Sequence, residues 1–147
     1  MKKFFSTLII AFITLTSVIG QNTTPAEPEK PVNPNAPVIK FDSEVYDYGR
    51  VPINGNGACQ FKFKNTGKEP LVLTNVKASC GCTVPSWTKD PVAPGATGVI
   101  DVRYTTMNRA HTINKSITVF SNASNDTVIL RLQGEVYEDV SPEKKTE

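Results

Sequence analysis

The fold class is clearest in the segment Cys59-Gln60-Phe61-Lys62-Phe63-Lys64-Asn65-Thr66-Gly67. Its first six residues alternate between apolar and polar side chains, and this period of two places one set on a buried face and the other in solvent. The Asn65-Thr66-Gly67 triplet then ends the alternation, and we expect Gly67 or Asn65 to adopt the positive φ of a tight turn. The segment therefore predicts a half-buried β-strand followed by a turn.

The same period of two recurs on both sides of this segment. No window of ten or more residues between 38 and 137 has the 3.6-residue apolar period of a helix. The predicted strands, about seven in all, are residues 38–41, 45–51, 59–64, 71–76, 99–104, 116–119 and 128–133. Turn residues such as Pro94-Gly95 and the stretch 121–126 separate them at the spacing typical of two packed sheets. The sequence thus predicts an all-β, immunoglobulin-like β-sandwich.

Composition and charge narrow the possible functions. The chain has 147 residues, of which 39% are hydrophobic and 20% are charged, as in ordinary globular proteins. It has 16 Lys and Arg residues against 14 Asp and Glu residues; without Lys2 and Lys3 the balance is 14 against 14, a net charge of zero. A neutral surface argues against nucleic acid or an anionic membrane as the partner. The single histidine, His111, excludes zinc sites built on two histidines.

The ends of the chain predict export. Met1-Lys2-Lys3 and the apolar run 4–19 resemble a signal peptide, which we expect to span residues 1–20 and to be removed after Gly20. The apolar run has 16 residues, which is short of the roughly 20 that a membrane-spanning helix needs, so we expect no transmembrane segment after cleavage. Residues 21–37 form a linker with proline at every third position, and 138–147 form a polar tail. The predicted location is the periplasm or the cell surface.

A family resemblance is carried by a set of motifs in order along the chain. The most specific is Cys80-Gly81-Cys82-Thr83, and the others lie at residues 38–42, 46–51, 61–67, 70–71, 94–95 and 132–136. In this order they resemble the bacterial domain of unknown function 1573, which is similar to the major-sperm-protein, ASH and HYDIN-type immunoglobulin-like domains. The resemblance implies the sandwich fold and an exported protein of the Bacteroidota type. It implies no activity.

We expect Cys80 and Cys82 to lie on a bend that connects two strands, and the three cysteines leave several states open. Thiols outside the cytosol tend to be oxidised, so Cys80 and Cys82 can form a disulfide across Gly81, which we expect to relieve the small ring through its permissive φ. Alternatively, Cys59 is linked to Cys80 or Cys82, or the thiols are free or bind a soft metal ion such as Cu(I). Met107 and His111 are conceivable further donors, although we interpret both as ordinary surface residues.

Two other residues are candidate sites. Trp87 follows the cysteine motif by five positions, and it is either an exposed binding aromatic or a residue that closes one end of the core. Asp126-Thr127-Val128 is similar to the O-glycan acceptor pattern of Bacteroidota, which predicts glycosylation of Thr127. The Asn-x-Ser/Thr tripeptides at Asn122 and Asn125 are interpreted as coincidences.

No catalytic triad, nucleophile elbow or phosphate-binding loop is found in the sequence. We therefore predict a non-enzyme with no cofactor and no small-molecule substrate. The expected function is that of an exported structural or interaction module, which presents an edge strand or an end loop to a protein or envelope partner. The alternative is a thiol-redox or copper-binding module built on Cys80 and Cys82.

Overall fold

The structure is a computed structural model that describes residues 33–139. The predicted signal peptide, most of the predicted linker and the tail from residue 140 lie outside the described residues. The described part contains eight β-strands. They are β1 (Ile39–Phe41), β2 (Val45–Pro52), β3 (Ala58–Asn65), β4 (Leu73–Ala78), β5 (Thr83–Trp87), β6 (Thr97–Tyr104), β7 (His111–Ser121) and β8 (Thr127–Tyr137).

These strands form two sheets of four strands each. The first sheet has the order β1-β3-β6-β5, and all of its neighbours are antiparallel. The second has the order β2-β8-β7-β4, in which β2 runs parallel to β8. The predicted all-β sandwich is confirmed. Residues 33–139 contain no helix that is long and apolar enough to cross a membrane.

The core lies between the two sheets and follows the predicted alternation. In β3 the side chains of Cys59, Phe61 and Phe63 are buried, while the residues between them are exposed. The largest fully buried side chains come from both sheets, which shows that the inner faces share one core. They are Phe63, Leu71, Ile100, Ile113, Ile117, Val119, Leu130, Leu132, Val136 and Asn65.

The number of strands is one more than predicted. The strand missed is β5, Thr83–Trp87, because Pro85 interrupts its sequence pattern and the cysteine motif precedes it directly. A proline is compatible with β5 because this strand lies at the edge of its sheet. The strands β7 and β8 are also longer than predicted, with 11 residues each. With β5 included, the first sheet has four strands, and β5 is the edge strand opposite β1.

The turn after β3 is built differently from the expectation. Neither Asn65 nor Gly67 is among the described residues with positive φ, so that part of the prediction is wrong. Asn65 is fully buried, and its side chain forms hydrogen bonds with backbone groups of Gly67, Glu69 and Val92. At Gly67 a Cβ atom would lie 2.3 Å from the carbonyl oxygen of Ala36. Glycine is therefore required there by the close approach of the segment before β1, not by φ. The Pro94-Gly95 turn does have the positive φ, 77° at Gly95.

Candidate functional site

The cysteine motif lies in the bend that carries the chain from β4 in one sheet to β5 in the other, as predicted. Ser79 fixes the start of this bend, because its amide donates to the Ser116 carbonyl at 2.9 Å and its hydroxyl accepts from the Ser116 amide at 3.2 Å. The end is fixed by Thr105, whose amide and hydroxyl donate to the Cys82 carbonyl at 2.9 and 3.2 Å. Both ends of the bend are therefore held to neighbouring strands.

The sulfur atoms of Cys80 and Cys82 are in contact, and the two Cα atoms are 5.2 Å apart. Both residues are half-buried, so reagents in solution can reach the bend. The hydroxyl of Thr83 lies 3.6 Å from the Cys80 sulfur. The disulfide stays a prediction.

Gly81 does not have the role predicted for it. Its φ is not in the left-handed region, and a Cβ atom built on it would meet nothing within 4 Å. A larger residue at position 81 would therefore fit both the backbone conformation and the space around it. The bend forms without any special freedom of glycine.

Cys59 is not linked to the other cysteines. Its thiol is free and buried in β3, so the predicted cross-link to Cys80 or Cys82 is not formed. Burial raises the pKa of the Cys59 thiol, and a hydrogen bond with Tyr48 opposes this only in part. Burial and the same hydrogen bond raise the pKa of Tyr48, whose hydroxyl also donates to the Gly57 carbonyl at 2.9 Å. At neutral pH, Cys59 is therefore a protonated core residue and a poor nucleophile.

The two conceivable further metal donors are used elsewhere. Met107 is only 6% exposed, so its interpretation as a surface residue is wrong. Nδ1 of His111 lies 2.8 Å from the Arg109 carbonyl, to which it must donate, and in the neutral ring Nε2 accepts from the Tyr104 hydroxyl at 2.8 Å. Within residues 33–139, no three His, Cys, Asp or Glu side chains are grouped as metal ligands. Among the described residues, His111 therefore does not join the cysteine pair as a metal ligand.

Trp87 is part of the sandwich and not a free aromatic surface. Its ring is half-buried against the core, and the ammonium group of Lys89 lies 3.2 Å from the ring centre. The indole Nε1 is buried and has no hydrogen-bond partner among the described residues. The interpretation of Trp87 as a residue that closes the core therefore fits better than that of a binding aromatic.

The candidate modification sites lie in the loop before β8 and at the first residue of that strand. Thr127 is exposed, and its hydroxyl donates to Asp126 at 3.1 Å, so its glycosylation stays a prediction. Asn122 donates from its amide to the Pro70 carbonyl and accepts from the Val72 amide. Asn125 donates to the Ile39 carbonyl and accepts from the Ile39 amide. Both asparagine side chains hold the loop in place, which fits their interpretation as coincidental tripeptides.

Sheet edges are the other feature that can bind a partner, because an edge strand offers unpaired amide and carbonyl groups. The edge at β1 is closed by Asn125, whose side chain binds both backbone groups of Ile39 at 2.8 and 3.1 Å. The edge at β2 is closed by Ser43, whose hydroxyl binds both backbone groups of Val45 at 2.7 and 3.2 Å. Beyond Asp47, a bulge with φ of 62° at Gly49 interrupts β2. Neither edge offers a regular row of free groups.

The edge at β5 is short of hydrogen-bond donors. The register with β6 and the bond from Thr105 to Cys82 turn the backbone groups of Thr83, Pro85 and Trp87 away from β6. Pro85 has no N–H group, and the Thr83 amide already donates to the Cys80 carbonyl at 3.4 Å. This edge therefore lacks two of its three donors.

The edge at β4 is the exception within residues 33–139. The register with β7, together with the bond from Ser79 to Ser116, turns Lys77 and Asn75 toward β7. The amide and carbonyl groups of Val76 and Ala78 consequently point away from the sheet, where no described strand pairs with them. We call these four groups the β4 edge. Sequence reasoning missed it because a list of strands does not show which of them is last in a sheet, and because β5 was not recognised.

Comparison with solved structures shows the same fold in proteins of very different sequence. A protein of unknown function from Porphyromonas gingivalis W83 superposes with a TM-score of 0.62 at 14% identity, over 72% of this chain and 50% of that chain. This chain thus spans half the length of that protein. The ASH / PapD-like domain 7 of human CEP192 superposes with a TM-score of 0.59 at 9% identity, over 78% of this chain and 96% of that chain. At these identities the likeness shows the fold alone.

Comparison with known sequences identifies one family and no curated protein. No curated protein sequence matches the chain. Residues 39–136 match the family described as "Protein of unknown function (DUF1573)", and this range includes all eight strands except the last residue of β8. The family matched is the one that the cysteine motif and its flanking strands resemble. The chain belongs to the DUF1573 family.

Proposed function

We propose that this chain is an exported, non-catalytic module that binds another protein by pairing with it at a sheet edge. The observation that carries the proposal is the β4 edge. Val76 and Ala78 offer two donors and two acceptors in a fixed strand, whereas side-chain bonds or a proline remove donors from the other three edges. Main-chain hydrogen bonds at such an edge bind an extended segment without special side chains. The predicted signal peptide supports the location outside the cytoplasm.

The test is chemical crosslinking in cells that produce the protein naturally, with a variant that blocks the edge. In Ala78→Pro the lost N–H points away from β7, so the ladder between β4 and β7 keeps its hydrogen bonds. We expect a crosslinked partner with the natural chain and at least a tenfold lower yield with Ala78→Pro. Circular dichroism and the melting temperature report whether the variant is folded.

The control variant, Val84→Ser, lies on the outer face of the other sheet. Val84 is 56% exposed, so its side chain is the main rival contact surface. We expect Val84→Ser to leave the crosslinked yield unchanged. A partner that is lost with Val84→Ser and kept with Ala78→Pro would contradict binding at the β4 edge. The absence of any crosslinked partner would contradict the proposal as a whole.

A second candidate function is thiol–disulfide exchange, which the contact between the sulfur atoms of two partly buried residues favours. An incoming thiolate would attack one sulfur of a Cys80–Cys82 disulfide, form a mixed disulfide and release the other sulfur as a thiolate. Such exchange requires that the pair be oxidised after purification and reducible by a thiol buffer. The copper-binding alternative would use the same two sulfurs in the reduced state.

Intact mass after alkylation tests the state of the cysteines. Without reductant we expect no adduct on the folded protein, because Cys59 is buried and protonated, and one adduct after unfolding in urea. With reductant and urea, all three cysteines should react. Two adducts on the folded protein without reductant would contradict the disulfide. A disulfide that persists in excess reduced glutathione would contradict exchange, and copper that co-purifies would favour the copper alternative.

A further inference from the structure

The β4 edge also restricts the kind of partner, provided that the proposed binding by strand pairing is correct. The first possibility to consider is a second copy of the chain. Antiparallel pairing of two β4 strands that uses Val76 and Ala78 of both copies places each Val76 opposite the other copy's Ala78. Lys77, between them, then lies directly opposite Lys77 of the second copy. Like charges in that position are destabilising, so the edge disfavours self-association.

Lys77 has no charged neighbour in its own cross-strand row of the sheet. Its side chain is exposed on the outer face of the sheet, and it forms no ion pair with the described residues. Its neighbour across β7 is Thr118, and the next residue in the same row is Ile129 of β8. The ammonium group therefore stands at the open end of an uncharged row, where a carboxylate from an added strand would meet it.

The predicted linker is a poor occupant of this edge. Its first described residue, Asn33, donates to the side chain of Glu69, which precedes β4 in the chain, at 3.2 Å. However, proline recurs at every third position from Pro25 to Pro37. Proline lacks the N–H group that strand pairing needs, and this spacing interrupts any run of paired residues. The chain's own linker thus lacks the donors that the β4 edge would require.

We propose that the β4 edge accepts an extended segment of another protein, with an acidic side chain opposite Lys77. Val76 and Ala78 supply the main-chain hydrogen bonds, and Lys77 selects for the charge between them. The partner is therefore an acidic, strand-forming segment, such as an exposed edge or an unstructured stretch of a second exported protein.

Nuclear magnetic resonance with synthetic peptides tests this inference on the full chain. The probe is an eight-residue peptide of alternating Thr and Val with one central Glu. One matched peptide has Lys in place of Glu, and another has alternate backbone nitrogens methylated, which removes the donors. We expect the acidic peptide to shift the amide signals of Val76, Lys77 and Ala78. The Lys peptide should bind about fivefold more weakly, and the methylated peptide should not bind.

Charge reversal supplies the matched controls. Lys77→Glu should invert the preference, so that the Lys peptide binds about fivefold better than the acidic one. Lys62→Glu changes an equally exposed lysine on the outer face of the other sheet and should change neither affinity. Signals that shift at β1, β5 or the face around Val84 would overturn the inference, as would a charge preference that Lys77→Glu leaves unchanged. The inference would also be overturned if, without any peptide, removing residues 138–147 shifted the amide signals of Val76 and Ala78. That result would show that the chain's own tail occupies the β4 edge.

The two proposals fail in distinguishable ways. A partner captured by crosslinking that is insensitive to Lys77→Glu and to the acidic peptide as competitor would overturn the inference and leave a protein-binding module. A chain that binds neither the peptides nor any crosslinked partner would overturn both.

Discussion

Replacing Asn65 with alanine is expected to lower the free energy of unfolding by about 3 to 5 kcal/mol, because it removes four hydrogen bonds between a fully buried side chain and the backbone. The Asn65 side chain is fully buried. Its amide donates to the carbonyls of Glu69 and Val92 at 2.8 and 3.0 Å. Its oxygen accepts from the amides of Gly67 and Val38 at 3.0 and 3.4 Å. One side chain thus joins the turn after β3, the segment before β1 and the bridge at Val92.

Urea unfolding followed by tryptophan fluorescence measures the loss. Asn114→Ala is the matched control, because Asn114 is exposed in β7 and should change stability by less than 0.5 kcal/mol in either direction. Asn65→Asp keeps the accepting oxygen and replaces the donating NH2 group with a second oxygen, so it should be destabilised about as strongly as Asn65→Ala. A loss below about 1 kcal/mol for Asn65→Ala would show that water replaces these bonds, contrary to the buried network described.

The strands that are buried on one face could be predicted from the sequence. A strand whose residues are acceptable only at the edge of a sheet could not. In β3, the alternation of Phe61 and Phe63 with lysines follows directly from one buried and one exposed face. The strand β5 was missed because Pro85 is a strand breaker in a central strand and acceptable in an edge strand. Only the assembled sheets show which of these two positions it has.

Of the candidate site, the bend with the two cysteines was predicted from the sequence, and the β4 edge was not. The position of Cys80 and Cys82 on a bend follows from the strand pattern before them, and the structure places them there. The β4 edge depends on the order of strands, which joins residues far apart in the sequence, such as Ser79 and Ser116. Asn65 was predicted to adopt the positive φ of a turn, because asparagine is common in turns. In the structure, long-range hydrogen bonds of its side chain explain why asparagine is present there.

The second large effect is expected at Gly98, where alanine should cost about 3 kcal/mol of stability. Gly98 of β6 lies directly opposite Phe63 of β3 in the antiparallel pair. The Phe63 ring covers the glycine, so an added Cβ would lie 2.3 Å from its Cζ atom and 2.7 Å from its Cε2 atom. Phe63 is fully buried, and its ring centre is 5.6 Å from that of Phe41. The ring therefore has little room to move away.

Gly81→Ala provides the comparison for the same chemical change. Position 81 has ordinary φ and open space around it, so its alanine variant should differ from the natural chain by less than 0.5 kcal/mol. Chemical denaturation of both variants side by side separates the clash from any general effect of replacing glycine. Equal stabilities for Gly98→Ala and Gly81→Ala would contradict the packing described between β3 and β6.

A double variant identifies the cause of the loss at Gly98. Phe63→Leu removes the ring and costs stability by itself, because it leaves space in the core. If the clash with the ring is the cause, Gly98→Ala should cost about 1 to 2 kcal/mol less in the Phe63→Leu background than in the natural chain. Additive losses would instead place the cost in the backbone of β6. Coupling of this size would show that Gly98 is glycine because an aromatic ring of the neighbouring strand occupies the place of its side chain.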